Sequence, residues 1–179
     1  MALINTTTTG VLGTTVYGDG AGSLTVQKDG VTQGIYGNIP AFSVYTNDGS
    51  SYFASGTSTK VRFNVKNFDT NNNFDVTTNY RFTPTVAGYY QFNAKVVTNT
   101  GGAGGQQILY LYKNGANIAE LEQVYIGQNA TGTSGGCLVY ANGTTDYFEI
   151  YQLQTSGTTK AIYNVQTLTF WTGFLAKAA

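Results

Sequence analysis

Residues 81–97 read RFTPTVAGYYQFNAKVV. Pro84 and Gly88 break what is otherwise strand material, and Tyr89 and Tyr90 stand side by side, so both faces of one strand begin with a large ring. A half-buried strand shows water one face, but this one needs packing on two. The same texture extends in both directions: AFSVYT (41–46), KVRFNVKNF (60–68), NYRFTP (79–84), QQILYLYKNG (106–115), NIAELEQVY (117–125), GGCLVYANG (135–143), TTDYFEIYQL (144–153) and NVQTLTFWTGFL (164–175). Each run is rich in β-branched and aromatic residues and bounded by Gly, Asn or Asp, and no window has helical period with caps. Asn114-Gly115 and Asn142-Gly143 read as tight hairpin turns. The expectation is an all-β chain, a β-sandwich or jelly roll.

Composition bounds what such a chain does. Its 179 residues suffice for one domain plus an appendage. Nine basic residues balance nine acidic ones, which argues against a nucleic-acid partner or an anionic membrane surface. With no His and one Cys, Cys137, the chain lacks His-based acid–base chemistry, His/Cys metal clusters, Cys–His nucleophiles and an internal disulfide. No basic head with an apolar run opens the chain, and nowhere do about 18 apolar residues follow one another. Synthesis in the cytoplasm without membrane insertion is the expectation.

Residues 1–38 differ from the rest. Asp29-Gly30 between two short β-like runs signals a hairpin, yet too few apolar residues lie here for a core. The segment reads as an extended β arm ordered on a partner, with Leu12, Val16, Tyr17, Leu24, Val26, Ile35 and Tyr36 as its contact residues. Residues 39–179 form the head.

Within the head, Val61, Phe63 and Val65 alternate with Lys60, Arg62, Asn64 and Lys66, one buried face and one wet. The closing run differs: Phe170, Thr172 and Phe174 share one face, Trp171, Gly173 and Leu175 the other. One face fills the sandwich, and the second is left for a partner, most economically another copy around a symmetry axis.

Residues 63–92, FNVKNFDTNNNFDVTTNYRFTPTVAGYYQF, resemble the signature of the complement C1q globular head and tumour-necrosis-factor-like jelly-roll superfamily. The matching positions are Phe63, Asp69, Phe74, Phe82, Gly88, Tyr90 and Phe92, the last four spaced as Phe-x5-Gly-x-Tyr-x-Phe. The gap between Phe74 and Phe82 is one residue longer than usual, and Ala94 stands at the family's final aromatic. PAFSVY (40–45), LYKNG (111–115) and FWTGFL (170–175) are similar to the first strand, a central hairpin and the closing strand.

The resemblance implies a homotrimer of jelly rolls of about ten strands, in which the sheet holding the first and last strands lines the three-fold axis. It implies a trimer interface and core built from Phe42, Tyr90, Phe92, Leu138, Tyr140, Phe170, Trp171 and Phe174, and an outer sheet holding the strand of Tyr89. The Asn/Thr/Gly-rich wording is similar to virion proteins of tailed bacteriophages that carry this domain. The expected role is non-enzymatic: a capsid decoration protein (cement or head-spike) on the virion surface, its arm bound to the major capsid protein or another virion protein. The alternative is the receptor-binding tip of a tail fibre or tail spike, with a host-surface glycan or protein as partner. An arm of 38 residues reaches at most about 130 Å, and the chain lacks the heptads or repeats of a fibre shaft.

Other stretches carry less. GDGAG (18–22) precedes a strand pattern rather than the helix a phosphate cradle needs. Asp69 and Asp75 flank TNNNF and are the sole, weak cation candidates, with capping carboxylates the plainer reading. The acid pairs Asp146/Glu149 and Glu120/Glu122 lack the signs of a glycosidase site. Asn5, Asn129 and Asn142 lie in Asn-x-Thr sequons, which matter only on a secretory route. No cofactor is expected, and Cys137 reads as a small buried apolar residue.

Overall fold

A computed structural model of the chain describes residues 16–18, 24–28 and 31–36 and, from residue 39 to 179, all but residues 50, 103 and 128. The described residues hold sixteen strands and no helix. Residues up to Ile39 and those from Pro40 onward form separate compact units.

The first unit contains β1 (Val16–Gly18), β2 (Leu24–Lys28) and β3 (Val31–Tyr36), an antiparallel sheet in that order. Lys28 pairs with Val31, as a two-residue connection at Asp29-Gly30 requires; those two residues, like Leu12, lie outside the described residues. Val16 is in register with Val26, Leu24 with Tyr36, and Thr25 with Ile35.

The second unit is a sandwich of two antiparallel sheets. Seven strands make the first: β4 (Ala41–Tyr45), β5 (Tyr52–Phe53), β7 (Val65–Asp69), β10 (Gly88–Asn99), β13 (Ala130–Ala141), β15 (Lys160–Ile162) and β16 (Phe170–Ala178). Six make the second: β6 (Thr59–Lys60), β8 (Phe74–Asp75), β9 (Arg81–Phe82), β11 (Gln106–Lys113), β12 (Ala116–Tyr125) and β14 (Phe148–Gln154). The chain passes repeatedly between the sheets, which is what makes the sandwich a jelly roll.

Several of these passages correct the sequence reading. The run KVRFNVK is not one strand: β6 pairs with β14 in the second sheet and β7 with β4 in the first, and residues 61–64 carry the chain across. Its alternation survives because Val61 and Phe63 plug the interior during the crossing. Asn142-Gly143 does not close a hairpin either, since β13 and β14 belong to different sheets. Instead the Asn142 Oδ1 accepts the backbone N–H of Thr144, Thr145 and Asp146, an Asx turn that starts the crossing. Asn114-Gly115 is a true hairpin turn: both residues have positive φ (53° and 81°), and Lys113 pairs with Ala116.

Tyr89 and Tyr90 belong to β10, which pairs with β13 along one edge and with β16 and β15 along the other. The strand of Tyr89 therefore lies in the sheet of the first and last head strands, and the outer-sheet expectation is wrong. The residues before it decided this: 83–87 carry the chain from β9 in the second sheet to β10 in the first. Tyr90 points inward, fully buried, and its hydroxyl donates to the Val86 carbonyl at 2.9 Å. Burial pushes that phenol up to about 12, against the pull of this hydrogen bond.

The core is aromatic at one end. Trp171 is fully buried against Phe42, Phe63, Phe74 and Phe92, with ring centroids 5.2–5.8 Å apart. Phe42 stacks on Phe82 at 4.4 Å, and Phe92 lies 4.9 Å from Phe148. Toward the other end the filling becomes polar: Gln107 donates to the Thr131 carbonyl and the Thr133 hydroxyl, and Gln152 to Thr98, so amide side chains of the second sheet hydrogen-bond to the first. A side chain at Gly173 would put its Cβ 2.6 Å from the rings of both Phe42 and Phe92. Gly173→Ala is expected to cost about 1–3 kcal/mol, read as a lower denaturation midpoint at unchanged slope.

Candidate oligomer interface

The outward face of the seven-stranded sheet follows from its register. Tyr89 is opposite Tyr140 on β13 and Lys177 on β16; Gln91 is opposite Leu138 and Phe174. Asn93 is opposite Gly136 and Thr172, Thr172 is opposite Ser43, and Ser43 is opposite Phe68. Lys95 is opposite Ser134 and Phe170, and Phe170 is opposite Tyr45. Period-two alternation gives all of these the face that Tyr90, Phe92, Trp171 and Gly173 do not occupy.

That face carries open rings and aliphatic side chains set among neutral polar ones. Leu138 is 56% exposed, Phe68 51% and Phe174 46%, with Tyr89 and Tyr140 nearly as open and their rings meeting edge-to-face at 5.5 Å. Its charged members at these register positions are Lys95 and Lys177, with no carboxylate among them. Exposed rings and aliphatic side chains gathered on one sheet face make it a candidate association site.

The residues expected at the interface and core thus divide. Phe42, Tyr90, Phe92 and Trp171 are buried inside the sandwich; Leu138, Tyr140 and Phe174 are on the open face, and Phe170 is half-buried there. Sequence reasoning missed Phe68 and left Tyr89 without a face. Phe68 sits past a register shift between Ser43 and Val44 that reverses the face its strand presents, a feature that spacing alone does not show.

The carboxylates serve the fold. Asp69 accepts the N–H of Asn73 and Phe74 and pairs with Lys66 at 3.0 Å. Asp75 accepts the N–H of Thr78, Thr77 and Asn79 and the Asn79 amide, holding its carboxyl well below the usual range despite some burial. These lone pairs are taken by donors, so the plainer capping reading of both residues fits, and no cluster of metal-ligating side chains occurs among the described residues. Asp146 pairs with Lys113 at 2.9 Å and Glu149 with Lys60 at 2.9 Å, so the two acids hold different partners. Burial raises the Asp146 carboxyl, but hydrogen bonds from Lys113, Asn114 and the Asn142 N–H outweigh it and lower the net value. Cys137 is partly buried against the core, and burial raises its thiol.

A pH dependence follows. Asp75 and Asp146 are both depressed in the folded chain, so the stability they contribute is present above the unfolded carboxyl value, about 3.9, and lost as pH falls through their folded values. Thermal melts are expected to be level from neutral pH to about 5 and to fall below about 4. Asp75→Asn should make that acid decline shallower; an equally steep decline would remove Asp75 from the account.

No family model and no curated protein matches the sequence. Solved structures do match the fold. The globular domain of zebrafish complement 1qA superposes with a TM-score of 0.57 at 21% identity, covering 79% of this chain and 99% of that one. Murine APRIL gives 0.55 at 8% identity (76% and 98% covered), and the PRD1 vertex protein P5 gives 0.52 at 16% identity (79% and 99% covered). The chain therefore carries the jelly-roll fold of the complement C1q head and the tumour-necrosis-factor-like proteins.

Proposed function

We propose that this chain is a virion structural protein whose head is a homotrimer and whose residues 1–38 attach it to the particle. The observation that carries the reading is the set of open rings and aliphatic side chains on the sheet that holds the first and last head strands. In a three-fold assembly each copy places Phe174, Leu138, Phe68 and their neighbours against the next, removing them from water. The match to a phage vertex protein supports placing such a trimer on a virus particle. Three attachment segments on one trimer turn weak individual contacts into firm binding through effective concentration, the property that capsid decoration requires.

A three-dimensional reconstruction of the particle tests this reading. Three-fold density of this size over the shell, with segments running onto capsid subunits, is the expected result. Density confined to the tail would replace decoration with host attachment.

A further inference from the structure

Among the described residues, two shallow clefts stand out on the head. One, about 400 Å³, is lined by Asn72, Asn73, Asp75 and Arg81, but its carboxylate is used up by N–H donors. The other, about 370 Å³, lies where residues 51–53, 59–62 and 78–80 meet, and it has the features of a ligand site. Tyr52, 56% exposed, stands on its wall. Its two cations are already matched: Lys60 Nζ lies 2.9 Å from the Glu149 carboxylate and donates to the Asn79 carbonyl at 2.9 Å, and Arg62 lies 2.6 Å from Asp48. The cleft presents more apolar than polar surface, its charges are balanced, and its walls are held in place.

Its third wall is conformationally unusual. Tyr80 has φ +50°, a left-handed backbone that a ring-bearing residue rarely adopts. Asn79 just before it is clamped: its N–H and amide are held by Asp75 and its carbonyl by Lys60. Backbone fixed in such a region by surrounding bonds clusters where ligands are gripped.

We propose that this cleft binds a neutral saccharide. A sugar ring offers a C–H face to the open Tyr52 ring and hydroxyls to Ser51, Thr59, Thr78 and the Arg62–Asp48 pair. The chemistry disfavours other ligands. An anion would meet cations whose charge is already offset, and a wholly apolar ligand would strip water from the partly open Arg62–Asp48 ion pair without replacing it. The inference concerns the head alone and does not depend on where a particle carries it.

The test is saturation-transfer NMR on the full chain with glucose, galactose, mannose and N-acetylglucosamine offered singly, and with inorganic phosphate. At least one sugar is expected to bind, with affinity up to about tenfold weaker in Tyr52→Ala, weaker again in Tyr80→Gly, and unchanged in Tyr89→Ala, which does not line the cleft. Binding of no sugar at high millimolar concentration, sugar binding indifferent to Tyr52 and Tyr80, or phosphate binding in place of sugar would each overturn the proposal. Circular dichroism of each variant separates lost binding from lost fold.

Discussion

Trp171→Ala is expected to destabilise the head by about 3–5 kcal/mol, the range for emptying a buried aromatic site. Trp171 is fully buried and its ring meets those of Phe42, Phe63, Phe74 and Phe92. Its indole Nε1 has no hydrogen-bond partner within the protein, so the loss is one of packing and burial. The four neighbours are held by β4, β8, β10 and the crossing at residues 61–64, and these cannot all close on the void together. Chemical denaturation at several protein concentrations reads the effect. A loss of this size that is the same at every concentration locates Trp171 in the sandwich interior, whereas a loss that shrinks as concentration rises would locate it between copies.

The second large effect is expected on the opposite face of the same strand. Phe174→Asp combined with Leu138→Asp places carboxylates at the two positions flanking Gln91, on a face that otherwise presents rings, aliphatics, neutral polar side chains and two lysines. In the monomer these side chains are about half exposed, so the substitutions leave the fold almost untouched. In a trimer each would be a charge buried without a partner, at about 2 kcal/mol or more per contact. Sedimentation is expected to show a mass change from three times the 19.1 kDa chain mass to one, with the β-sheet circular dichroism spectrum retained. A variant that stays trimeric would put the interface elsewhere. The pair of experiments splits residues that the family resemblance put together, because positions 171 and 174 lie on opposite faces of one strand.

Much of this was legible from residue types. β-Branched and aromatic runs punctuated by Gly, Asn and Asp gave an all-β chain, because such side chains suit a pleated half-buried surface and such punctuation suits turns. The hairpin at Asn114-Gly115 follows from local sterics, as both residues tolerate positive φ. The alternation FWTGFL announced two apolar faces on the last strand, and the sheet has both.

Other features were decided only when distant segments met. Whether Asn142-Gly143 closes a hairpin depends on which sheet receives the strand that follows, and β14 joins the sheet opposite β13. KVRFNVK keeps strand-like alternation through a passage between sheets because the interior fills from either side. Tyr89 gained its face from the pairing of β10 with β13 and β16, and Phe68 from an irregular step against β4. The cleft beside Tyr52 joins three segments between residues 51 and 80, and its charge balance exists only once Glu149, distant along the chain, reaches Lys60 and Asp48 reaches Arg62. The sequence by itself determined that strands form, where they turn and that more apolar surface exists than one core absorbs, since these depend on side-chain chemistry and near-neighbour sterics. The tertiary structure alone decided which sheet each strand joins, and hence which rings fill the core and which stay open, because strand pairing links residues that local preference cannot relate.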